Sequence, residues 1–114
     1  MKKWWFIILL LIHLSEAIAV TCTIYIDASK SMQGFAQTGS VKKITQDIIE
    51  SLNTNKIDTK LFIFLSENQN SIQHIPAKLD DMNNTSLYSG SYTLLNKCLD
   101  SNIKSGIIVI ITDN

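Results

Sequence analysis

Apolar residues follow two different periods along the chain, and the changes of period predict the order of strands and helices. The segments 20–26, 59–65 and 106–111 are short and rich in β-branched or aromatic residues, which is typical of buried strands. Between the first two, apolar residues recur at helical spacing and predict an amphipathic helix with Ser40 as its cap. The apolar stripe of this helix consists of Val41, Ile44, Ile48, Ile49 and Leu52.

The second half of the chain continues the alternation of strand and helix. Residues 71–75 precede Pro76 and predict a short strand at the margin of a sheet, where proline is best tolerated. Residues 77–91 are rich in Asp, Asn and Ser and predict a short helix followed by loop. Thr93 lies just before a second helical pattern. The alternation predicts an α/β, Rossmann-like fold, with a mostly parallel sheet, helices on both faces and a short antiparallel edge strand.

Oxygen-bearing side chains cluster directly behind the first predicted strand. Asp27, Ser29 and Ser31 are spaced two apart, so an extended chain points all three to one side. Magnesium takes octahedral oxygen coordination and needs few carboxylates from a protein. The same spacing also fits an ordinary turn, in which short polar side chains bond nearby backbone groups.

Two later residues strengthen the interpretation as a cation site. Asp113 follows the last predicted strand, so a second carboxylate lies at a second strand exit. In parallel sheets ligands gather at the carboxyl ends of strands where the strand order reverses. The first and last strands are candidates for neighbours at that reversal, and the hydroxyl of Thr93 is placed to join the same cluster.

The segment Ile24–Met32 resembles the metal-site strand and loop of von Willebrand factor A domains. Thr93, six residues before Leu99, and the run 112–114 are similar to the later parts of that family's site, in the correct order. Two departures stand out. Tyr92 replaces the glycine usual before the threonine, so Ser91, which follows Gly90, is an alternative ligand; and Asn114 replaces a glycine, a mild change because asparagine tolerates left-handed backbone.

This resemblance implies a metal-ion-dependent adhesion site. Its ligands would be Asp27, Ser29, Ser31, Thr93 and Asp113, around Mg²⁺ or alternatively Mn²⁺ or Ca²⁺. The cation would bridge to an Asp or Glu of a protein partner. The family's domain is larger than residues 20–114, so we expect an incomplete domain that lacks the C-terminal strands and helices. We also expect its last strand to form an exposed apolar edge.

The first nineteen residues are predicted to be a signal peptide. Lys2 and Lys3 precede an apolar stretch, and Ala17 and Ala19 supply the small residues of a cleavage site. The protein is therefore expected to be exported to a periplasmic or extracellular location, where its function is protein binding. An uncleaved leader that acts as a membrane anchor and a lipoprotein attached through Cys22 are the alternatives.

Charge and cysteine content narrow the classes of partner. After residue 19 the chain has eight basic and nine acidic residues, a formal charge of −1, and its basic residues are scattered. No nucleic-acid partner is expected. Cys22 and Cys98 are predicted to lie at different heights in the fold, too far apart for a disulfide, and to be small buried residues.

Two other functional classes remain alternatives. Haloacid dehalogenase-type phosphohydrolases also place an Asp after a first strand and bind magnesium, but they resemble Asp-x-Asp, and position 29 here is Ser. A serine nucleophile needs a nearby base. The one histidine outside the leader, His74, is expected to be solvated on an edge strand. We therefore expect no enzyme; a metal-free structural α/β module is the second alternative.

Overall fold

A four-stranded mixed sheet forms the centre of the part of the protein that the structure describes. The computed structural model describes residues 20–100 and 106–113. The strands are β1 (Thr21–Asp27), β2 (Asp58–Leu65), β3 (Gln73–Pro76) and β4 (Ile107–Ile111), in the spatial order β3-β2-β1-β4. β1 pairs in parallel with β2 and with β4, and β3 pairs antiparallel with β2. This confirms an α/β fold with a short antiparallel edge strand, compatible with a Rossmann-like arrangement.

Within the described residues, three α-helices connect or follow the strands. They are α1 (Gln33–Gln37), α2 (Ser40–Thr54) and α3 (Leu95–Asp100). Short 3₁₀ turns cover Lys30–Met32, Leu79–Asn83 and Thr85–Leu87. Among the described residues, none of these helices has the length and apolar composition needed to cross a bilayer.

The two faces of the sheet carry separate apolar clusters, because successive side chains of a strand point to opposite sides. Ile24 and Ile26 of β1 pack on one face with Val41 of α2. Tyr25 and its neighbour Phe64 pack on the other face with Cys98 of α3. Helices therefore cover both faces, as the alternation of strands and helices predicted.

The start of α2 differs from the prediction. Ser40 is the first residue of the helix rather than its cap, and the cap is Gly39, whose φ of 80° is left-handed. A glycine adopts this conformation without a Cβ clash. The Ser40 hydroxyl lies 2.8 Å from the Thr38 hydroxyl, so it bonds to the preceding turn instead of to the helix amides.

The predicted apolar stripe of α2 is wrong at one position. Ile44 is 50% exposed, whereas Thr45 is fully buried. The Thr45 hydroxyl donates to the Val41 carbonyl at 2.7 Å, which satisfies it inside the core. With its hydroxyl bonded, Thr45 packs in the core, and it takes the place in the buried face that was predicted for Ile44.

Both cysteines are free and buried, as predicted. Cys22 packs on the α2 face of the sheet and Cys98 on the α3 face, so the sheet separates them. Burial raises the pKa of the Cys22 thiol.

His74 lies on the edge strand, as predicted, but it is only partly exposed to solvent. Its ring is half-buried on β3 and packs edge-on against Tyr25, with ring centroids 5.2 Å apart. Burial lowers the pKa of the His74 imidazole. The partner of His74 in the sheet is Phe64, so His74 lies beside aromatic side chains on this face.

β4 lies at the opposite edge of the sheet from β3. Within the described parts of the chain it pairs with β1 alone, and Ile107 and Ile108 are 42% and 36% exposed. Gly106, with a φ of 104°, comes just before β4 and packs closely against the backbone of β1. A Cβ at this position would lie 2.3 Å from the Thr21 carbonyl oxygen. The leader, predicted to be a signal peptide, lies outside the described residues.

Candidate functional site

Asp27 ends β1 and is fully buried. Its Oδ1 accepts a hydrogen bond from the Ser29 amide at 2.9 Å. Its Oδ2 accepts one from the Thr93 hydroxyl at 3.0 Å and one from the Thr112 hydroxyl at 2.8 Å. These three donors fix the orientation of the carboxylate. No basic side chain in residues 20–100 or 106–113 forms an ion pair with it.

The two serines lie where the chain leaves the sheet. Ser29 is extended, with φ −71° and ψ 158°, and a 3₁₀ turn begins at Lys30. The Ser29 and Ser31 hydroxyls are therefore 3.0 Å apart, within hydrogen-bond distance. The bond from the Ser29 amide to the Asp27 carboxylate is the side-chain-to-backbone bond of an ordinary turn, which the sequence also predicted as an alternative. The turn and the pair of serine hydroxyls are therefore both present.

The loop that follows the 3₁₀ turn Thr85–Leu87 brings Thr93 close to Asp27. The Gly90 amide donates to the Ala28 carbonyl and the Gly90 carbonyl accepts from the Lys30 amide, both at 2.9 Å. The amides of Ser91 and Tyr92 both donate to the Ser66 carbonyl, at 3.0 and 3.2 Å. The loop is thus tied to the exits of β1 and β2, and α3 begins two residues after Thr93.

One open cleft contains three of the predicted ligand hydroxyls. Ser29, Ser31 and Thr93 line it, with Lys30 and residues 90–92. Ser91 also lines the cleft, but the hydroxyl that bonds to Asp27 is that of Thr93. The geometry therefore favours Thr93 over Ser91 as the middle member of the cluster.

Asp113 is placed differently from the other four predicted ligands. It is exposed and lines a second, mostly apolar groove with Met32, Val41 and Ile111. None of the hydrogen bonds found among the described residues joins it to Asp27, Ser29, Ser31 or Thr93. Its role as a ligand stays a prediction.

Thr112 is the residue that the sequence analysis missed. The β1–β4 register pairs Ile26 with Ile111, so position 112 lies beside Asp27 at the same sheet edge. Alternation along the strand then directs Thr112 to the side of Asp27, and Asp113 to the other. The register was the missing signal, since a run of six apolar residues fixes no pairing by itself.

The donor set fits a hard divalent cation. Carboxylate and hydroxyl oxygens are the ligands that Mg²⁺ and Ca²⁺ take, and the described cluster offers one buried carboxylate beside three hydroxyls. In residues 20–100 and 106–113 no three His, Cys, Asp or Glu side chains form a group of metal-ligand spacing. The candidate site therefore depends on hydroxyl oxygens next to Asp27.

Cys98 lies close enough to Asp27 to sense its charge. Burial, and then the negative charge of Asp27, raise the pKa of the Cys98 thiol to about 11. Both effects favour the protonated thiol at neutral pH.

Comparisons of the chain with protein-family models, with curated proteins and with solved structures gave no significant match.

Proposed function

We propose that the protein is a divalent-cation-dependent protein-binding domain. The observation that carries this proposal is the bond from the Thr93 hydroxyl to the Asp27 carboxylate, which joins residues 66 apart in sequence at the mouth of a hydroxyl-lined cleft. A turn explains the local Ser29–Asp27 contact but requires no such long-range partner. The hydroxyl-lined cleft beside this contact favours a cation site over a metal-free module.

The residues that would hold the cation are Ser29, Ser31 and Thr93, with Asp27 close behind them and Asp113 as the predicted fifth member. The cation proposed is Mg²⁺, with Mn²⁺ or Ca²⁺ as alternatives. A single carboxylate leaves a divalent ion with a net positive charge, and magnesium bound by proteins usually keeps several water molecules that another ligand can replace. An Asp or Glu side chain of a partner protein supplies the charge and the oxygen that are missing.

The finer fold and the location belong to the same proposal. We infer a Rossmann-like sheet of the von Willebrand factor A type, on the resemblance of residues 24–32, of Thr93 and of the run 112–114. The parallel pairing of β1 with both β2 and β4 supports this inference. Export through the leader gives such a domain access to partners outside the cytoplasm.

The test is thermal unfolding with increasing MgCl₂ or MnCl₂, for the wild type, Asp27→Ala and Asp58→Ala. A ligand that binds only the folded state raises the melting temperature with concentration. We expect a metal-dependent rise for the wild type and for Asp58→Ala, whose exposed carboxylate begins β2 at the other end of the sheet. Asp27→Ala should show none.

Loss of the Asp27 hydrogen bonds also lowers stability without metal, so the measured quantity is the rise in each variant over its own metal-free value. The double variant Ser29→Ala/Ser31→Ala provides a second measurement if Asp27→Ala does not fold. An equal rise in all variants, or none in the wild type, contradicts the proposal. Phosphatase activity that depends on Asp27 would instead support the phosphohydrolase alternative.

A further inference from the structure

Thr112 makes the shorter of the two hydroxyl contacts to Asp27. Its Oγ1 lies 2.8 Å from Oδ2, against 3.0 Å for Thr93. Both hydroxyls donate to the same carboxylate oxygen, since an ionised carboxylate is an acceptor only. Each threonine thus uses its proton on Asp27.

The two threonines face different spaces. Thr93 lines the open cleft with Ser29 and Ser31, whereas Thr112 is half-buried and lines the apolar groove with Val41 and Ile111. Thr112 therefore bonds to the same carboxylate oxygen as Thr93 without lining the cleft that would hold a cation. Its hydroxyl meets the cluster at the Asp27 carboxylate.

The register of the sheet makes this contact a fixed one. β4 pairs with β1 from Cys22 with Ile107 to Ile26 with Ile111, and Thr112 directly follows the last pair. The main chain at Thr112 is therefore held at the height of Asp27. Its hydroxyl restrains rotation of the Asp27 carboxyl group, which also carries the bond from Thr93.

We propose that Thr112 is a positioning residue of the cation site. Its hydroxyl holds the Asp27 carboxylate in one orientation. The carboxylate in turn holds the Thr93 hydroxyl, whose lone pairs are then directed to the cleft. The inference rests on the proposed function. Outer partners of this kind fix the orientation of the groups around a metal, and their loss typically costs about 10- to 100-fold in metal affinity.

The test is a titration of the protein with Mn²⁺, in which free Mn²⁺ is followed by electron paramagnetic resonance. The variants are Thr112→Val, which keeps the shape but removes the hydroxyl, and Thr112→Ser, which restores a hydroxyl. Thr45→Val is the matched control, because Thr45 is a buried threonine whose hydroxyl bonds inside α2, away from Asp27.

We expect the dissociation constant for Mn²⁺ to rise about 10- to 100-fold in Thr112→Val and to stay within about threefold of wild type in Thr112→Ser and Thr45→Val. Circular dichroism of each metal-free variant reports its fold, and Thr112→Ala replaces Thr112→Val if the valine variant does not fold. A purely structural role would lower the melting temperature of Thr112→Val without changing its affinity for Mn²⁺.

Wild-type binding with an unchanged constant in Thr112→Val overturns the inference and leaves the proposed function standing. A similar loss in Thr45→Val also overturns it, because the effect then follows from stability. If the wild type binds no Mn²⁺, both the proposed function and the inference fail.

Discussion

Gly90 is the residue that allows the loop carrying Thr93 to cross the ends of β1 and β2. A Cβ at this position would lie 3.0 Å from the Leu65 side chain and 3.2 Å from the carbonyl oxygens of Ala28 and Ser66. Two of these three neighbours are backbone oxygens, and they belong to the residues that directly follow β1 and β2. A side chain at position 90 would therefore displace the loop that carries Thr93, although Gly90 itself contributes no ligand.

We predict that Gly90→Ala lowers the free energy of unfolding by about 1–3 kcal/mol, the usual cost of overpacking a well-packed region. Urea unfolding at neutral pH measures the change. The control is Gly34→Ala in α1, where a Cβ meets nothing within 4 Å. Alanine is favoured over glycine in a helix by up to about 1 kcal/mol, so this variant should be neutral or more stable. Equal destabilisation by both substitutions would contradict the assigned packing.

At the scale of elements, the edge strand β3 packs through His74 against the aromatic side chains of β1 and β2. His74 packs against Tyr25, which in turn stacks on Phe62 with ring centroids 5.9 Å apart. Burial lowers the pKa of His74 below its ordinary value of 6.5. The folded state therefore favours the neutral imidazole, and the unfolded chain binds the proton more readily.

We predict that the protein loses stability as the pH falls below about 6.5. In that window the unfolded state binds more protons than the folded state, so the free energy of unfolding rises with pH. His74→Phe keeps a ring against Tyr25 and removes the titration. Urea unfolding between pH 5.5 and 7.5 should show a flatter profile for His74→Phe than for the wild type. Identical slopes would mean that burial of His74 carries no pH dependence.

The pattern of apolar residues predicted β1, α2, β2, β3 and β4 close to their observed bounds, because strand and helix periods differ and these elements are strongly periodic. It also placed Thr93 just before a helix. It placed His74 on an edge strand but did not predict its contact with Tyr25, since a sequence does not say which aromatic residues a short edge strand will meet. It missed Thr112 because the pairing of β1 with β4, which decides the neighbour of Asp27, is a property of the assembled sheet.

At the scale of the whole molecule, the two edges of the sheet differ in how they face solvent. β3 is short, includes Pro76 and carries the polar Gln73. β4 is a run of five β-branched apolar residues. Exposed flat apolar edges pair with other strands, whereas proline and charge prevent such pairing. In the described part of the chain, the outer edge of β4 is therefore available to pair with another strand.

We predict that Ile108→Lys lowers self-association and that Ile75→Lys on β3 has a smaller effect. The two isoleucines are matched in exposure, 36% and 38%. Sedimentation velocity over a range of concentrations gives the mean mass of each variant. A wild type that stays monomeric at every concentration, or equal effects of the two lysines, would contradict association through β4.

The central claim is that the hydroxyls of Ser29, Ser31 and Thr93 surround one divalent cation beside Asp27. The most direct measurement is a crystal structure of the protein with Mn²⁺, located by its anomalous scattering. We expect one strong anomalous peak in the cleft, with oxygen atoms of Ser29, Ser31 and Thr93 at metal–ligand distances of about 2.0–2.3 Å. A peak that contacts Ser91 in place of Thr93, or no peak in the cleft at saturating Mn²⁺, would contradict the account.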